Sequence, residues 1–214
     1  MNVSDLVKEY VSRHPYVMEA LSEGIVNFSS LSRKIMEQYN IKSFQAVEAA
    51  LKRYKPQSGE PDYKNILSRS TVEMYTNVTV IILKPKSENM KLILSLAERQ
   101  SINYGRFRLI QGVQGAALVM NDNDAEKIVR SIPKGEVIQM DRKLSEIVMT
   151  SPETITFTRG YVAYLSSILS HNGINIIQIV SFYTDVTFIL DPEDLVRSFN
   201  ILMREIRLSQ SLIK

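Results

Sequence analysis

Apolar residues at helical spacing dominate the first quarter of the chain. Val3, Leu6, Val7, Tyr10 and Val11 trace one stripe, which predicts an amphipathic helix over 3–13. Pro15 opens a second helix whose inward face is Val17, Met18 and Leu21, and Gly24 ends it. Asn27 or Ser29 caps a third, in which Phe28, Leu31, Ser32 and Ile35 share a side as far as Tyr39. After the turn Asn40-Ile41-Lys42, Ser43 caps a fourth, with Phe44, Val47, Leu51 and Tyr54 facing inward. The stretch from Pro56 to Asp62 is rich in turn formers and has no apolar period, so it reads as a linker, with a short helix over 63–70 crossing the join.

From Thr71 the period shortens. Val78, Val80 and Ile82 alternate among Ile81 and Leu83, a strand buried on both faces. A helix over 88–100 follows, then strands over 106–111 and 116–120 around Gly112-Val113-Gln114-Gly115. Asp124 starts a helix that Pro133 and Gly135 stop, and 136–140 is a further strand. The same order then recurs. At an offset of 70 residues, Leu92 to Ala97 falls on Val162 to Ser167, Leu109-Ile110 on Ile179-Val180, and Leu118 to Asp124 on Phe188 to Asp194. The second copy gives a strand over 145–149, a helix over 161–171 ended by Asn172-Gly173, strands over 174–182 and 186–190, a helix over 195–206 and a closing strand over 208–213. This is the βαββαβ order of a split βαβ unit. The fold class expected is α+β: a helix-turn-helix-like helical domain (1–57), a linker (58–70), and two ferredoxin-like modules (71–142 and 143–214).

Composition narrows the chemistry. With 44% hydrophobic and 23% charged residues the chain is an ordinary globular one. Its net charge of +3 is spread thinly, without a basic tail. There is no cysteine, which excludes disulfides, thiolate metal sites and cysteine nucleophiles. No apolar run approaches the roughly 20 residues that a membrane span needs, so a cytoplasmic protein is expected. His14 and His171 have no chelating spacing, no phosphate loop of the GxxxxGK type is present, and no serine sits in a nucleophile elbow. Neither a metal nor a cofactor is expected, and the chain reads as a non-enzyme.

Ser151-Pro152-Glu153, Arg159-Gly160-Tyr161-Val162, Asn172-Gly173-Ile174-Asn175-Ile176, Thr184-Asp185 and Asp191-Pro192-Glu193-Asp194 resemble the ACT domain at the C-terminus of aspartate kinases and related regulators. The resemblance covers about residues 143–206, and it reaches 71–142 through the repeat. It implies paired ACT modules whose sheets join side by side and whose interface binds an amino acid or similar small effector. It also implies that the effector lies between the loop before the first helix and the start of the second strand. The positions carried over are Thr158, Arg159, Gly160, Tyr161, Val162, Asn172, Asn175 and Ile176, with Asn175 where the family's effector-holding side chain commonly stands. Helix-start N–H groups suit a carboxylate, and an asparagine both donates and accepts. Arg159 replaces the family's usual proline; it either pairs with an effector carboxylate or points into water. Met90 and Gly105 replace Gly160 and Asn175 in the first copy, which directs the effector to the second. The alternative reading of Gly160 and Asn175 is a turn glycine and a strand-capping asparagine with no ligand contact.

Ser30-Leu31-Ser32-Arg33-Lys34-Ile35 followed by Ala46 to Tyr54 is similar to archaeal winged-helix regulators, although no clear wing follows Lys55. On that likeness Gln45 reads an adenine edge, and Arg33, Lys34, Lys42, Lys52 and Arg53 meet phosphate, while Glu48 opposes them. The resemblances imply an amino-acid-responsive, dimeric transcription regulator. A free-standing regulatory subunit docking on a biosynthetic enzyme such as an aspartate kinase is the alternative, and a structural oligomer with empty ACT sites a third reading.

Overall fold

The computed structural model describes residues 2–55, 63–99 and 107–213. The linker expected at Pro56–Asp62 lies outside them, as does Gly105. Two compact units, Met1–Glu60 and Pro61–Lys214, divide the chain.

In the first unit the four expected helices form: α1 (Val3–Arg13), α2 (Pro15–Ser22), α3 (Phe28–Tyr39) and α4 (Phe44–Arg53). The Asn2, Asn27 and Ser43 side chains cap α1, α3 and α4 by accepting the N–H three residues on. Asn40, left-handed at φ 51°, ends α3. Val7, Tyr10, Val11, Val17, Ile35, Val47, Ala50 and Leu51 make the core. Among the described residues this unit has no strand, hence no wing.

The second unit begins with α5 (Tyr63–Ser68) and continues β1 (Thr71–Leu83), α6 (Ser87–Arg99), β2 (Arg108–Gln111), β3 (Ala116–Asn121), α7 (Asp122–Val129), β4 (Val137–Thr150), α8 (Tyr161–His171), β5 (Ile176–Phe182), β6 (Asp185–Leu190) and α9 (Leu195–Leu212). Its strands join in one antiparallel sheet of order β2-β3-β1-β4-β6-β5. The architecture is therefore α+β.

The sheet is one, not two, because β1 and β4 are each long enough to serve both repeats. The second half of β1 and the first half of β4 give the first repeat the order β2-β3-β1-β4. The other halves exchange roles: Thr71–Tyr75 of β1 pairs with Glu146–Thr150 of β4, and the second repeat reads β1-β4-β6-β5. Each repeat thus completes its sheet with the extension of the other's first strand. The junction between 142 and 143 falls inside β4. A one-residue offset on β1 between Tyr75 and Val78 is compensated by one on β4 between Val80's partner Asp141 and Leu144. Asn77 and Lys143, at φ 56° and 57°, are the left-handed residues of these two bulges.

The closing strand expected over 208–213 is instead the last turn and a half of α9. Residues 195–214 hold no glycine or proline to stop a helix, and the buried stripe Leu195, Ser198, Leu202, Ile206 and Ser209 keeps helical spacing. The fourth-strand place was already filled by β1.

One sheet face packs against helices in two clusters. Ile81, Leu83, Leu118 and Met120 meet Ile93 of α6 and Ala125 and Ile128 of α7. Ile147, Met149, Val186 and Phe188 meet Leu165 and Leu169 of α8, Leu202 and Ile206 of α9, and Ile66 and Leu67 of α5. On the other face Val78, Val80, Val119, Leu144 and Ile189 make a third cluster.

Candidate functional site

After β4 the chain turns through Ser151, whose N–H donates to the Thr184 carbonyl at 2.9 Å, and a 3-10 turn at Glu153–Phe157. Thr158 and Arg159 lead to Gly160, which starts α8 at φ +77°. A glycine suits this left-handed position and brings no side-chain cap. The N–H groups of Tyr161, Val162 and Ala163 have no acceptor within the helix, the usual condition of a first turn.

The loop is held from below by a group in which Tyr63, Ser70 and Tyr164 were not singled out in the sequence. Tyr63 Oη of α5 donates to the Arg159 carbonyl at 2.9 Å, and its ring lies 4.6 Å from that of Tyr164 and 6.0 Å from that of Tyr161. A Cβ on Gly160 would stand 2.7 Å from Tyr63 Oη. Tyr161 is buried, its hydroxyl 2.9 Å from Ser151 Oγ and 3.5 Å from Ser70 Oγ, while Ser70 Oγ donates to Ser151 Oγ at 2.9 Å. Burial raises the Tyr161 pKa, opposed by those two serine hydrogen bonds. Tyr161 therefore faces a site with its backbone only. No local pattern announces these contacts, since Tyr63 and Arg159 lie 96 positions apart.

The predicted effector residues fall into two groups. Thr158, Arg159, Gly160, Tyr161 and Val162 stand at the N-terminus of α8; Arg159 is exposed and Val162 packs on the core. Asn172, Asn175 and Ile176 stand past its other end. Asn172 Nδ2 donates to the Ile168 carbonyl at 2.8 Å, and its own carbonyl accepts from the Arg197 guanidinium. Asn175 is exposed, and Ile176 begins β5. Eleven residues of helix, about 16 Å at 1.5 Å each, separate the groups. One amino-acid head group does not span that length within one repeat. β5 is an outer strand of the sheet.

Tyr164, half-buried beside Tyr63, has its pKa pushed up to about 12, by burial first and then by the Glu205 carboxylate, 3.4 Å from its hydroxyl. The folded protein holds this proton more tightly than the unfolded chain, where the ordinary value is 10.0. The resulting stability is complete below pH 10, declines as pH rises towards about 12 and is gone above it. Tyr164→Phe should flatten the decline of melting temperature over that interval; an unchanged slope would assign the loss to other groups.

In the first unit Arg33, Lys34, Lys42, Gln45, Lys52 and Arg53 are all exposed, on α3, the turn and α4. Lys52 is paired with Glu48 at 3.3 Å, Glu48 also accepts from Ser29 Oγ at 3.3 Å, and Arg53 Nε donates back to the Ala49 carbonyl at 3.1 Å. Arg33, Lys34, Lys42 and Gln45 project without such ties among the described contacts. No group of three or more metal-ligating side chains and no helix able to cross a membrane occurs among the described residues.

No protein family matches the sequence, and no curated protein matches it either. Solved structures do match in shape. The regulatory subunit of aspartate kinase from Thermus flavus superposes with a TM-score of 0.52 at 14% identity, over 65% of this chain and 98% of that one. The allosteric aspartate kinase of Clostridium acetobutylicum gives 0.51 at 16% identity over 63% of this chain, and E. coli aspartokinase III in complex with aspartate and ADP gives 0.52 at 11% over 64%. This chain covers only 34% and 33% of those two enzymes. What it shares with all three is a fold, that of aspartate kinase regulatory domains.

Proposed function

We propose that this chain is a non-catalytic regulatory protein that binds an amino acid or similar small effector between ACT-type modules. The observation that carries the reading is the exchange of fourth strands between two βαββαβ repeats, in a fold spanning 98% of a known regulatory subunit. The effector's carboxylate would lie against the uncapped first turn of α8, and a second copy would supply Asn175 and Ile176 through the outer strand β5. The chain would then act as a dimer, with the two ends of α8 at each pocket contributed by two copies.

The output of binding is assigned to the helical unit, whose α3-turn-α4 displays Arg33, Lys34, Lys42 and Gln45 to solvent. DNA is the partner this chemistry fits, and docking on a biosynthetic enzyme is the competing output. Thermal melting with each of the twenty amino acids tests the first half. An effector at 100 times its Kd adds about 2.7 kcal/mol, hence a rise of roughly 5–10 °C for a chain of this size. A flat response to all twenty would sink the reading. Gel retardation with genomic fragments tests the output: salt-sensitive binding that Lys34→Glu abolishes supports DNA, and silence at low salt favours the enzyme.

A further inference from the structure

We propose that Tyr63 is a positioning residue for the Arg159–Gly160 loop, and that through it α5 works as a latch on the start of α8. The inference rests on the reading that this loop borders the effector site.

The two ends of α5 are held differently. Its C-terminal half is anchored: Ile66 and Leu67 are core residues, Ser70 joins the buried hydroxyl cluster with Ser151 and Tyr161, and Gln210 Nε2 donates to the Ser68 carbonyl at 3.0 Å. Its first turn is held by the Tyr63 hydroxyl on Arg159 O and the Tyr63 ring on Tyr164. A six-residue helix has little stability of its own, so this contact adds directly to the hold on that turn.

The contact is also shaped from the loop side. Only a residue without Cβ lets Tyr63 Oη reach over position 160, since the added atom would come within 2.7 Å. Loop and latch therefore specify one another. Ordering of the loop by a ligand strengthens Tyr63's grip, and loss of the grip leaves the loop unset for binding, which is a reciprocal coupling. α5 is the first element of the second unit and precedes the sheet in the chain.

Amide hydrogen exchange on the ligand-free full chain tests this directly. The reporters are the N–H groups of Leu67 and Ser68, whose helical acceptors belong to the first turn of α5. Tyr63→Phe should speed their exchange roughly tenfold, the worth of one hydrogen bond, while β4 amides stay unchanged. Gly160→Ala should do the same, and the double variant should add nothing, because both changes release one contact. Unchanged Leu67 and Ser68 exchange in Tyr63→Phe, or additive effects in the double variant, would overturn the latch. A second arm uses whichever amino acid shifts the melting of the wild type: it should slow the same amides in the wild type and bind Tyr63→Phe three- to tenfold more weakly. Equal affinity and equal protection in the two proteins would remove the coupling. If no amino acid shifts the melt, the functional reading fails, while the ligand-free comparison still decides the latch.

Discussion

Cut between residues 142 and 143, the second unit is expected to give two fragments, neither of which folds as a monomer. The C-terminal piece keeps only part of β4 with β6 and β5, and it loses the five residues of β1 that pair with Glu146–Thr150. It also loses Ile66 and Leu67, which fill the core under α8 and α9 from the far end of the chain. Burying each such side chain is worth about 1.5–3 kcal/mol, so these two with Val72 account for about 6 kcal/mol, comparable with the whole stability of a small domain. Circular dichroism of the separate fragments should show no cooperative melt, and an equimolar mixture should regain one. A cooperative melt of monomeric 143–214 alone would refute the exchanged-strand account of its stability.

Arg108→Met should be the most damaging single charge removal. Glu146 is 1% exposed, and its Oε1 lies 2.7 Å from Arg108 Nη1. Arg108 stands on the outer strand β2 and Glu146 on β4, with β3 and β1 between them in the sheet order. Removing a charged partner from a buried carboxylate costs about 3 kcal/mol or more. Replacing both residues with methionine should recover most of that loss, because two apolar side chains of similar size need no solvation. Urea unfolding of the three proteins measures this. A loss under about 1 kcal/mol for Arg108→Met would mean that Glu146 is held by its other surroundings.

Much of the fold could be read from local signals. Whereas α7 ends at Val129, short of the Pro133–Gly135 stop, caps at Asn27 and Ser43, the stripe of α1 and the Asn172-Gly173 helix end all act within a few residues of where they stand. Partner choice does not. Thr71 pairs with Thr150 and Val78 with Leu144, and nothing in 71–77 tells which strand will accept it. The apolar residues of 208–213 look like a strand in isolation; the absence of any helix breaker after Asp194, and a fourth-strand place filled from far upstream, make them helix. The places of the candidate site residues divide in the same way. The separation of these residues over the two ends of α8 follows from the helix predicted over 161–171, while the hold of Tyr63 is a product of tertiary packing.

The paired bulges at Asn77 and Lys143 carry a consequence for how this architecture can change over generations. Each extra residue restores the in-and-out alternation that the other disturbs, so trimming either one would turn every side chain beyond it on that strand to the opposite surface. Ile147 and Met149 would then face away from their helices, or Thr71–Tyr75 would lose its match. Loops around this sheet can lengthen freely, but the two central ribbons can gain or lose residues at their crossing only in step.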